Sequence, residues 1–69
     1  MEIHLDDPRQ TGDLVAFLRR AGCAIENLEG GGLLVSIPDS PLPEGERLEL
    51  TLYLKVWCAV NPGARVRIG

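Results

Sequence analysis

The stretch from Pro43 to Val60 limits what this chain can fold into more than any other segment. It runs for 18 residues up to Asn61-Pro62-Gly63, and its apolar residues satisfy two periodicities at once. Leu48, Leu50, Leu52, Leu54, Val56, Cys58 and Val60 alternate strictly, as they would along a half-buried strand. The same stretch is rich in Leu, Glu, Arg and Lys and poor in β-branched residues, which favours a helix. Glu44, Glu46 and Glu49 lie toward its start, where negative charge complements a helix dipole. Length decides between the two. An uninterrupted strand of 13 residues, Leu48 to Val60, is unusual, whereas an 18-residue helix is common. Pro62 and Gly63 are also standard helix-stop signals. A helix is therefore expected. The alternative is a β-rich domain with one helix, in which residues 46–60 form a long strand.

As a helix, this segment is too apolar for its setting. At about 100° per residue, Leu50, Tyr53, Leu54, Trp57 and Val60 form one face, and Leu48, Leu52, Val56 and Ala59 form another. Only Arg47, Thr51, Lys55 and Cys58 make a clearly polar stripe. That apolar arc is about twice what one sheet contact needs. A chain of 69 residues cannot cover both faces itself. Exposed apolar patches of this kind mark interfaces, where Trp and Tyr are enriched. The expected interface residues are Leu50, Tyr53, Leu54, Trp57 and Val60.

The rest of the chain reads as short elements separated by glycine and proline. Ile3 and Leu5 alternate with Glu2 and His4, predicting a strand over residues 2–6. Asp7 is placed as a helix cap, Pro8 suits the first helical position, and Gln10 follows three residues after the cap. Gly12 weakens that first turn, so the regular helix is expected to begin near Thr11. Leu14, Phe17, Leu18 and Ala21 then share one narrow face, with Arg19 and Arg20 turned away and Gly22 as the left-handed stop. A weak strand over residues 23–29 and a stronger one over residues 33–37 flank Gly30-Gly31-Gly32, a hairpin turn. Residues 64–68 complete the set as a strand, with Val66 and Ile68 on one side and Arg65 and Arg67 on the other.

The order β-α-β-β-α-β over residues 1–69 predicts a single α+β domain of ferredoxin-like type: a four-stranded antiparallel sheet with two helices on one face. First and last strands are neighbours in that arrangement. Glu2 and His4 would then face Arg65 and Arg67, a favourable cross-strand pairing. In the order of its elements the chain resembles the small ferredoxin-like and ACT-like modules of bacteria, which bind small effectors, pair into dimers or dock on larger proteins. The metal-binding form of the fold carries CxxC where this chain has Leu5-Asp6-Asp7-Pro8. The RNA-binding form carries exposed aromatics where this chain has His4, Leu34 and Ser36.

The remaining residues are read first as structural parts. Asp6, Asp7 and Asp13 match no calcium loop, and Asp7 has a capping role. The glycine run precedes a strand and has no nearby Lys, so it is not a phosphate cradle. His4, the sole histidine, has no nucleophile nearby to complete a triad. Cys23 and Cys58 have no zinc-finger spacing and read as reduced thiols. A formal net charge of −3 argues against nucleic acid and anionic membranes. No positively charged region precedes an apolar run, so no signal peptide and a cytoplasmic location are expected. Arginine outnumbers lysine six to one among abundant Ala, Gly, Val and Leu, as in GC-rich bacterial genes. The expected protein is a non-catalytic interaction module without cofactor or metal, homodimeric or docked on a larger protein. The alternative is an ACT-like small-molecule-sensing domain using Asp6 to Gly12.

Overall fold

The computed structural model describes residues 1–38 and 42–69. Their elements run β1 (Glu2–Leu5), a 3₁₀ turn (Pro8–Gln10), α1 (Thr11–Arg20), β2 (Ala24–Asn27), β3 (Leu33–Ser36), α2 (Pro43–Val60) and β4 (Val66–Ile68). The segment with two periodicities is thus a helix over its whole length, and the β-rich alternative for residues 46–60 does not hold. Part of the Pro38 to Gly45 connection, residues 39–41, lies outside the described residues.

The strands form one antiparallel sheet in the order β2-β3-β1-β4, so the first and last strands are neighbours as expected. Ile3 pairs with Leu33 on one side and with Ile68 on the other, and Ile25 pairs with Val35. Alternation along each strand sends these residues to one face of the sheet. Ile3, Leu33 and Val35 are buried there with Leu14 and Leu18 of α1 and Leu50, Leu54 and Trp57 of α2. Both helices therefore cover the same face, and one core lies between them and the sheet.

Local chemistry sets the element ends. The Asp7 carboxylate accepts the Arg9 backbone N–H at 3.0 Å, which caps the 3₁₀ turn that leads into α1. Gln10 is itself the cap residue of α1 and makes no side-chain capping bond. At the other end Gly22 adopts φ +93°. Its N–H reaches the Arg19 carbonyl, and the Cys23 N–H reaches that of Leu18 at 3.0 Å. That pattern satisfies the last carbonyls of α1 and buries Cys23 beside Leu18. Leu14 and Leu18 carry the inward face of α1, Phe17 is half-buried, and Ala21 is exposed rather than part of that face. Asn61 ends α2, its side-chain amide donating to the Trp57 carbonyl at 2.9 Å.

The charged sheet face differs in detail from the expected ladder. His4 lies opposite Arg67, as the parity requires. Glu2, however, bonds its own strand neighbour, with Oε2 2.8 Å from His4 Nε2. Arg67 instead reaches Asp6 at 3.5 Å. Period-2 reasoning fixes which face a side chain takes, but a long guanidinium chooses among several carboxylates within reach.

Candidate interaction surface

Helix α2 spends its apolar residues on two opposite sides, and the structure settles which side is which. Leu50, Leu54 and Trp57 are core residues, with relative exposures of 0%, 5% and 1%. Tyr53 is half-buried against that core, and Val60 is 74% exposed at the end of the helix. Three of the five residues expected at an interface are thus interior, and only Val60 is fully available at the surface. On the other side Leu48, Leu52 and Val56 stand 72%, 59% and 47% exposed. The second apolar face read from the sequence, not the first, is the one left uncovered.

The inward choice rests on polar partners as well as on packing. The Trp57 indole N–H donates to the Asp13 carboxylate of α1 at 3.0 Å, which satisfies the one polar atom of a fully buried ring. The Glu46 carboxylate accepts the Ile37 N–H at 2.9 Å and ties the start of α2 to the end of β3. Both bonds are made at the rotation of α2 that buries Leu50, Leu54 and Trp57. Leu48, Leu52 and Val56 are then left pointing away from the sheet.

The exposed ridge is regular. Leu48, Leu52, Val56 and Val60 fall four residues apart, so they form one row along the helix surface. Ala59 adjoins the row and is also exposed. The charges of α2 divide by position: Glu44, Glu46, Arg47 and Glu49 give the first half a net charge of −2, whereas the only charge in the second half is Lys55. Glu49 and Lys55 are exposed and make no ion pair among the described residues.

Among the described residues the candidate polar groups are not brought together. Asp6 meets Arg67, Asp7 meets Arg9 and Asp13 meets Trp57, so the three aspartates have separate partners. Among the described residues no three His, Cys, Asp or Glu side chains group as a metal site. His4 lies on the open sheet face beside Gly32, where an added Cβ would come within 2.7 Å of the imidazole Cε1. That glycine serves the close approach of the ring. The hairpin turn itself uses Gly30 and Gly31, at φ +87° and +91°. Burial pushes the Cys23 thiol up, with Glu49 and Glu46 adding to the effect, and it behaves as a small apolar core residue. Cys58 is half-buried in a groove of about 250 Å³ between α2 and β4, lined also by Thr51, Leu54, Lys55, Val66 and Ile68. Both thiols are free.

Among the described residues no helix is long and apolar enough to cross a membrane. Comparison with protein-family models, with curated proteins and with solved structures finds no match.

Proposed function

We propose that this chain is a ferredoxin-like protein-interaction module that works, without catalysis, as a homodimer through the outer face of α2. The βαββαβ element order, with β1 and β4 adjacent at the centre and edge of the sheet, supports the ferredoxin-like assignment. A single observation carries the functional reading. An ordered row of large apolar side chains, Leu48, Leu52, Val56 and Val60, stays exposed while Leu50, Leu54 and Trp57 of the same helix fill the core. Water contact along such a row is unfavourable by ~25 cal/mol for each Å² left uncovered, and association removes that term.

Light scattering on the 7.5 kDa chain after size exclusion tests the reading. At micromolar concentration the expected mass is that of two chains. Leu52→Glu should halve it while leaving the far-ultraviolet circular dichroism unchanged, because Leu52 touches no part of the core. A wild-type chain that stays monomeric at hundreds of micromolar would overturn the proposal.

A further inference from the structure

We infer that the second copy lies antiparallel across α2, with the twofold axis passing beside Leu52. This rests on the interaction reading above and adds the geometry that reading leaves open. A homodimer interface is isologous, so the same row of residues must fit itself when turned about a twofold axis. With the axis at Leu52, residue 52+n of one copy comes level with residue 52−n of the other. Leu52 then meets its own copy, and Leu48 meets Val56 twice. Gly45 comes level with Ala59, which lets the helices approach closely at both ends of the contact.

The charges fit the same register. Glu49 comes level with Lys55 of the second copy on both sides of the axis, and within its own chain neither residue has an ion-pair partner among the described residues. More broadly, the half of α2 that carries Glu44, Glu46, Arg47 and Glu49, with a net charge of −2, faces the half whose only charge is Lys55. A parallel, in-register pair would do the reverse. It would place Glu49 against Glu49, Lys55 against Lys55 and the two acidic halves together, with the helix dipoles aligned. The apolar row is nearly indifferent to direction; the charge pattern is not.

Cysteine cross-linking of the full chain tests the arrangement, in a Cys58→Ser background where the remaining Cys23 is buried. A disulfide forms only when two Cα atoms approach within ~7 Å. Leu52→Cys should therefore link to itself under mild oxidation. Leu48→Cys should not, because its copy would sit eight residues away along the axis, about 12 Å. A mixture of Leu48→Cys with Val56→Cys should link as a heterodimer. A charge-swap series gives a second readout that needs no cysteine. Glu49→Lys alone and Lys55→Glu alone should each weaken dimerisation about fivefold, and the double variant should restore it.

Each outcome separates this inference from the one beneath it. Efficient self-linking of Leu48→Cys in a dimeric protein means a parallel pair, and it overturns the antiparallel geometry while leaving the interaction reading intact. A dimer that links at none of these positions means that the copies meet on another face, and it overturns both the antiparallel geometry and the outer-face reading. A wild-type chain that never dimerises overturns both.

Discussion

Helices α1 and α2 lie on the same face of the same sheet, yet they are built differently. Helix α1 is amphipathic: Leu14 and Leu18 are buried, while Arg19 and Arg20 face water. Helix α2 buries Leu50, Leu54 and Trp57 in the same way, but its opposite side carries Leu48, Leu52 and Val56. The sheet makes a similar demand on each helix, one buried stripe. Satisfying that demand accounts for every large apolar residue facing inward on α1 and for only one side of α2. The outer leucines are exposed and lie outside the core, and it is this difference between the helices that the proposed dimer would explain.

The sharpest way to break this comparison is to truncate one leucine on each side of α2. Leu50→Ala removes a fully buried side chain and should cost about 2–5 kcal/mol. A core of this size seldom supplies more than ~3–5 kcal/mol, so the variant should be largely unfolded at 25 °C. Leu52→Ala should change stability by no more than ~0.5 kcal/mol, as surface substitutions do. Urea unfolding followed by circular dichroism, at concentrations too dilute for association, measures both. Equal losses for the two variants would mean that α2 does not have one covered and one free side.

A smaller effect tests what joins the two helices. Asp13 of α1 holds the indole N–H of Trp57 at 3.0 Å. Asp13→Ala strands that donor beneath the surface and should cost about 1–3 kcal/mol. Asp13→Asn keeps an acceptor oxygen and should recover most of the loss. If both variants matched the wild type, the hydrogen bond would not be what turns Trp57 inward, and packing alone would orient α2.

These contrasts also show how far the residues could be read before the fold was seen. The span of α2 was legible because length and a Pro-Gly stop are local signals. Its orientation was not, because a helix apolar on two sides has no single preferred direction. The missing information was held at a distance, in Asp13 as acceptor for Trp57 and in Glu46 reaching Ile37. A buried Trp needs an acceptor for its N–H, and Asp13 is the acidic residue in the first turn of α1, so that pairing was the available clue. Gly32 offers a similar lesson. Three glycines exceed what the hairpin turn uses, and only the folded sheet shows His4 lying across the third. The Asp7 cap and the Gly22 stop, by contrast, depend on residues within a few positions of each other: Gly22 ends α1 as expected, and Asp7 does cap, although it caps the 3₁₀ turn before α1 and Gln10 adds no capping bond.

That local cap gives the smallest expected effect, and it belongs to the 3₁₀ turn that leads into α1. Hydrogen bonding by the Arg9 side chain, and then by its backbone N–H, holds the Asp7 carboxyl below its ordinary value. A carboxyl whose folded value is depressed adds stability above its unfolded value of ~3.9, and that contribution disappears as the pH falls through the lower, folded value. The pair is exposed, so the contribution is slight. Asp7→Asn keeps an oxygen for the Arg9 N–H but no longer titrates. Thermal unfolding from pH 6 down to pH 2 should therefore fall less steeply for this variant than for the wild type, with the two curves converging at the acid end. An identical pH dependence would show that the capping geometry at the 3₁₀ turn, rather than the charge, is all that Asp7 supplies.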